Sequence, residues 1–116
     1  MPKDSDMEKK LRDEKMQEGY KAATEIPLKT VEYCCKALKI CERISKLMDD
    51  SMASDVGSGA HMSIAGAQSA AYNVKINLNS INDKKYISKT ETKLNLILSD
   101  CEKLLENISK KVEEKL

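Results

Sequence analysis

Residues 54–78 read SDVGSGAHMSIAGAQSAAYNVKINL, and the way this stretch folds decides the architecture of the chain. From Gly57 to Ala71, eleven of fifteen residues are Gly, Ala or Ser. Ser54 and Asp55 supply an N-cap and a favourable negative charge for a helix start. Gly57, Gly59 and Gly66 would each cost up to about 1 kcal/mol against alanine in a helix interior. A helix carries that burden where something must approach its backbone closely. The row Gly59, Ser63, Ala67 and Ala71, at i+4 spacing, forms one smooth groove for a second helix or a flat ligand. VKINL at 74–78 could pass for a strand, but it is continuous with a helix former. The helix is therefore expected to run to Leu78, with a turn over Asn79–Asp83.

Three more helices are expected around it. Ser5 with Glu8 is a capping box that opens a first helix over about Asp6 to Thr24. That helix is polar nearly all round, with only Met7, Leu11, Met16 and Tyr20 as apolar positions, so it needs a neighbour to lie on. Pro27 is expected to end it and to start a second helix, running to about Met48. Leu28, Val31, Cys35 and Leu38 form one stripe of this helix. Ile40, Ile44 and Leu47 widen the apolar surface beyond that stripe, so packing on more than one side is expected. Asp83 caps a last helix with Leu94, Ile97, Leu98, Cys101, Leu104, Leu105, Ile108 and Val112 as its amphipathic stripe. The fold class is all-α, an antiparallel bundle of about four helices forming a single domain over residues 1–116.

The 116 residues contain no Phe and no Trp, so the core must come from aliphatic, Met, Ala and Tyr side chains. Such a core gains less burial per side chain, and completion against a partner subunit is expected. Net charge is +1 with acids and bases interleaved, which gives no one-signed field for nucleic acid or an anionic membrane. No apolar run reaches the ~20 residues of a membrane span. The charged start, MPKDSDMEKK, lacks the apolar centre of a secretory leader. Cys34, Cys35, Cys41 and Cys101 form no C-x-x-C pair and read as reduced core thiols, so a cytoplasmic protein is expected.

Side chains able to do chemistry are few. His61 has no ligand-spaced partner, Asp49 and Asp50 would point apart in a turn, and no cysteine has an assigned base. Gly57-Ser58-Gly59 follows no strand and lacks the lysine of a phosphate loop. No metal site is expected. Ser54 and Asp55 stand out because a helix N-terminus, a carboxylate and a glycine-lined backbone coincide there. Lys75 is a cation on a helix otherwise free of charge after Asp55. It could hold an anion, or reach back to solvent.

Three stretches carry a resemblance. They are Met1-Pro2-Lys3-Asp4 before a charged helix, Ala23-Thr24-Glu25-Ile26-Pro27-Leu28, and Ser54-Asp55-Val56-Gly57 leading to Tyr72-Asn73-Val74-Lys75-Ile76-Asn77-Leu78. In that order and spacing the chain resembles the C-terminal half of the formiminotetrahydrofolate cyclodeaminase and methenyltetrahydrofolate cyclohydrolase family. The resemblance implies part of a larger all-α domain, a homodimer, and a tetrahydrofolate derivative as substrate with no separate cofactor. The cyclodeaminase, a lyase, expels ammonia from a 5-formimino group and closes the methenyl bridge. The cyclohydrolase, a hydrolase, adds water to that bridge and opens it to 10-formyltetrahydrofolate. Either needs proton transfer by a positioned acid or base. The family's proton-transfer acid and its Pro-Gly-Gly-Gly-Ser segment lie upstream of the position matching Met1, so the catalytic residues of this chain are unassigned. Ser54, Asp55, Asn73, Lys75 and Asn77 are the expected folate-binding residues. The alternative is a non-catalytic helical oligomerisation module, or one half of a split enzyme that awaits a separately encoded N-terminal half.

Overall fold

The computed structural model describes residues 5–116; Met1-Pro2-Lys3-Asp4 lies outside the described residues. Among these residues there are three α-helices and no strand. Helix α1 spans Asp6–Leu47, a 3-10 turn spans Asp50–Met52, α2 spans Ala53–Leu78 and α3 spans Lys84–Glu114. The all-helical class holds, but three helices stand where four were expected.

The correction lies at Pro27, which sits inside α1 rather than between two helices. A proline within a helix removes the amide that would serve the carbonyl four residues earlier, a loss of about 3 kcal/mol or more when nothing replaces it. Here that carbonyl belongs to Ala23, and it accepts instead from Asn77 Nδ2 at 3.1 Å. Packing does the rest: Thr24, Leu28 and Val31, on either side of the proline, are all buried. Tertiary contacts thus carry the helix through a residue that would break it in isolation.

The other boundaries follow local chemistry. Ser5 Oγ accepts from the Glu8 amide at 3.2 Å, and Asp83 Oδ1 accepts from the Tyr86 amide at 3.1 Å, as the capping readings required. The start of α2 differs from expectation. Ser54 and Asp55 lie within its first turn, and the residue before the helix, Met52, offers no side-chain cap. The preceding 3-10 turn delivers the chain into the helix instead, tied by a 2.6 Å bond from Ser51 to Asp49.

Cys34 faces Gly66 and Cys41 faces Gly59, so α1 and α2 run antiparallel. Lys21 reaches Asp83 and Glu32 reaches Lys93, so α1 and α3 run parallel. The core is aliphatic, centred on Val31, Leu38, Val74, Leu94 and Ile108, with α2 contributing Ala60, Ala67, Ala70 and Ala71. At Gly57 and Gly66 the small residues of α2 therefore answer to close-packed neighbouring helices. A Cβ on Gly66 would stand 3.0 Å from Cys34 Sγ, and one on Gly57 would stand 3.1 Å from Val112 Cγ1. At the end of the bundle, Gln17 clasps the α2–α3 turn. Its Nε2 donates to the Ser80 carbonyl at 3.0 Å and its Oε1 accepts from the Asn82 amide at 2.8 Å. N-terminal to Gln17, every residue of α1 is exposed. Among the described residues no helix is long and apolar enough to cross a membrane.

Candidate functional site

The Pro27–Asn77 contact brings two of the three resemblance-bearing stretches together. Residues 23–28 of α1 and 73–78 of α2 border one open groove of about 520 Å³. Its floor is Pro27, Gly66 and Ala70, and its polar groups come from Thr30, Ser69, Asn73 and Asn77. Gly66 lets the two helices approach closely, which keeps the floor low and smooth. Thr30 spends its hydroxyl on the Ile26 carbonyl at 3.3 Å, and Asn77 spends its amide nitrogen on Ala23. Asn73 makes no side-chain hydrogen bond among the described residues and is exposed at the rim.

No charged side chain lines this groove. It can therefore offer amide and hydroxyl contacts and an apolar floor to a flat polar ring, but it supplies no acid or base to a reaction. A proton-transfer group acting here must come from outside its lining.

The five expected residues do not converge. Asn73 and Asn77, one turn apart, share the groove. Lys75 is two positions from each, about 200° round the helix, and lies outside its lining. It is exposed. Asp55 is some 27 Å from Asn73 along α2, at 1.5 Å per residue. Ser54 borders a different hollow of about 390 Å³, with His61, Ser109 and Glu113 around it. Asp55 lines neither hollow and is exposed.

The titratable groups with displaced equilibria lie at the helix contacts. The Lys21 ammonium, 2.8 Å away, and the Tyr86 amide hold Asp83 below the usual carboxylate range. Tyr86 packs beside them. Its hydroxyl donates to Glu25 Oε1 at 3.1 Å, and burial together with that carboxylate raises its pKa. Burial, then the hydrogen bond with Cys35, pushes the Cys101 thiol up to about 12. All four cysteines are free, and these two belong to the core as their helical spacing indicated.

The formiminotransferase-cyclodeaminase family model matches residues 1–96, which takes in α1, α2 and the first part of α3. The chain belongs to this family. A methenyltetrahydrofolate cyclohydrolase of Methylorubrum extorquens is 30% identical to it over 116 residues, the whole of this chain. The match covers 56% of that protein, so the chain spans little more than half the length of its relative. For the formiminotransferase-cyclodeaminase family member described here, sequence alone could place Asn73 and Asn77 on one helix face. It could not reveal Pro27 and Thr30 as the opposite wall, because no local pattern links them to α2. Gln17 went unnoticed for the same reason: its two partners lie more than sixty residues away.

Proposed function

We propose that this chain provides one wall of a folate site in a methenyltetrahydrofolate cyclohydrolase or formiminotetrahydrofolate cyclodeaminase. The observation that carries the reading is the meeting of residues 23–28 and 73–78 at a single uncharged groove. Asn73 at its rim has its side-chain amide unspent, as recognition of a pterin edge requires. Asn77 and Pro27 hold the two walls together. Lys75 stays in the proposal as a contact to the glutamate tail of the ligand, and Ser54 and Asp55 as contacts to folate held by a neighbouring subunit. A homodimer working in the cytoplasm completes this reading.

The chain does not carry the whole reaction by itself. Its groove holds no titratable group, and little more than half of its relative's length is matched. Those two facts favour a binding portion that acts with further residues supplying the acid or base, in preference to a self-sufficient site.

Two measurements test this. Purified chain is titrated with a stable folate such as 5-formyltetrahydrofolate, and binding is followed by calorimetry. Asn73→Ala, Asp55→Asn and Lys75→Ala should each weaken it. Unchanged affinity in Asp55→Asn and Lys75→Ala would remove those two residues from the site, and no binding by the unaltered chain would overturn the reading. The absorbance of 5,10-methenyltetrahydrofolate should decay at the uncatalysed rate with the chain alone; acceleration would show that the chain is a complete enzyme.

A further inference from the structure

With no Phe and no Trp, the four tyrosines are all the aromatic surface the chain owns. Tyr20 and Tyr86 pack against the core. Tyr33 on α1 and Tyr72 on α2 are instead 64% and 70% exposed. A single exposed aromatic ring needs no explanation. Two that border one groove from opposite walls do.

The register of α1 against α2 places them there. Ala23 meets Asn77, Cys34 faces Gly66 and Cys41 faces Gly59, so the antiparallel pair keeps one alignment along its length. On that alignment Thr30 and Ser69, which line the two sides of the groove, stand within one residue of facing each other. Tyr33 continues the stripe of Ile26 and Thr30 by one more turn of α1, and Tyr72 follows Ser69 by one turn of α2. Helical side chains incline towards the turn that precedes them. Tyr33 is thereby directed towards Thr30, and Tyr72 towards Ser69. Because the helices are antiparallel, the two rings approach that level from opposite ends of the groove.

We propose that Tyr33 and Tyr72 form a two-sided aromatic clamp that holds the planar half of a pterin ring over Thr30 and Ser69. This rests on the folate reading above and names the residues through which the groove selects a flat heteroaromatic ring.

Spacing, charge and bracing support the clamp. Tyr33 and Tyr72 stand about five residues apart in level, roughly 7.5 Å along the bundle. A ring held between two others needs two contacts of about 3.5–4.0 Å each. The gap therefore suits one flat ring. No charged side chain lines the groove, so a neutral heterocycle gains no ionic hold there. Stacking on aromatic faces supplies the hold instead. Asn73, next to Tyr72 in sequence and with its side-chain amide unspent among the described residues, meets the edge of the ring. Lys36 follows Tyr33 by one turn on the side away from Thr30, and its ammonium lies 5.3 Å from the Tyr33 ring centre. It lies outside the groove lining, so it braces the ring without entering the groove.

The test uses the whole chain and 5-formyltetrahydrofolate. In calorimetric titrations Tyr33→Ala and Tyr72→Ala should each weaken binding by about fivefold or more, the low end of what stacking on an aromatic side chain is worth. Tyr33→Phe and Tyr72→Phe should bind within about twofold of the unaltered chain, because the ring face survives. Far-ultraviolet circular dichroism should be unchanged in all four, since both positions are exposed. Nuclear magnetic resonance of the chain, isotope-labelled at its tyrosine rings, gives a second readout. On saturation the Tyr33 and Tyr72 ring signals should move upfield, as those of protons over a stacked ring do, while those of Tyr20 and Tyr86 stay in place. Absence of binding by the unaltered chain removes the folate reading and the clamp together. Binding that survives both alanine substitutions, or ring shifts at Tyr20 and Tyr86 instead, overturns the clamp and leaves the folate reading standing. Phenylalanine variants as weak as the alanine ones would assign the contact to the hydroxyls and overturn stacking. Loss at one tyrosine alone overturns a clamp with two sides.

Discussion

Pro27 and Asn77 act as one unit: the proline deletes an amide, and the asparagine supplies its replacement to the orphaned Ala23 carbonyl. This coupling has a measurable form. Asn77→Ala should lower stability by about 1 kcal/mol in urea unfolding, the typical worth of one such bond. In a Pro27→Ala background the new backbone amide can serve Ala23 directly, so the same asparagine substitution should cost less than half as much. Equal costs in the two backgrounds would mean that the two residues do not act through this carbonyl. The pair also bears on the proposed folate site. Loss of Asn77 disturbs the wall as well as any ligand contact, whereas Asn73 supports nothing else among the described residues and is the cleaner probe.

Within the helices, glycine is tolerated for unlike reasons. A Cβ on Gly19 of α1 would have no neighbouring atom within 4 Å, so nothing packs there. Gly57 on α2 meets the branched Val112 side chain, which is buried and stiff at its own Cβ. Gly19→Ala should therefore stabilise the protein by about 0.5–1 kcal/mol through helix propensity. Gly57→Val should destabilise it by about 1–3 kcal/mol through overpacking of α2 against α3. Thermal melts of the two variants moving in the same direction would contradict this account. The need for close approach along α2 was legible in the sequence because the glycine cost is local and large. The stripe of α3 was legible because its period is regular over many turns. The unity of α1 was not, because the proline rule counts a local loss while the compensating donor sits on another helix. Ser54 and Asp55 stand apart from Asn73, Lys75 and Asn77 within one chain for a related reason. Motifs that follow one another along a rigid helix are held apart by its rise, whereas Ala23 and Asn77, far apart in sequence, are brought together by an antiparallel turn.

At the scale of the whole molecule, the end of the bundle nearest the α2–α3 turn is fastened to α1 by polar side chains. Gln17 holds the turn through two backbone groups, and Lys21 holds Asp83 at 2.8 Å. Asp83 in turn caps α3 through the Tyr86 amide, so one carboxylate joins a helix start to the neighbouring helix. Both partners prefer it ionised, which is why its pKa is lowered in the folded chain. A carboxyl with a depressed folded pKa adds stability that is fully present above its unfolded value, near 3.9, and is lost as pH falls through the folded value. The melting temperature should therefore hold steady from neutrality to about pH 5 and decline below about pH 4 as this group protonates. Asp83→Asn keeps a capping side chain but gives up the charge. It should lower the melting temperature at pH 7 and lose less of it between pH 5 and 3 than the unaltered chain does. Salt should narrow the gap between the two proteins, because Lys21 and Asp83 are both partly exposed and screened. Parallel acid profiles for Asp83→Asn and the unaltered chain would shift the acid sensitivity to other carboxylates and leave the Gln17 clasp as the main tie between α1 and the turn.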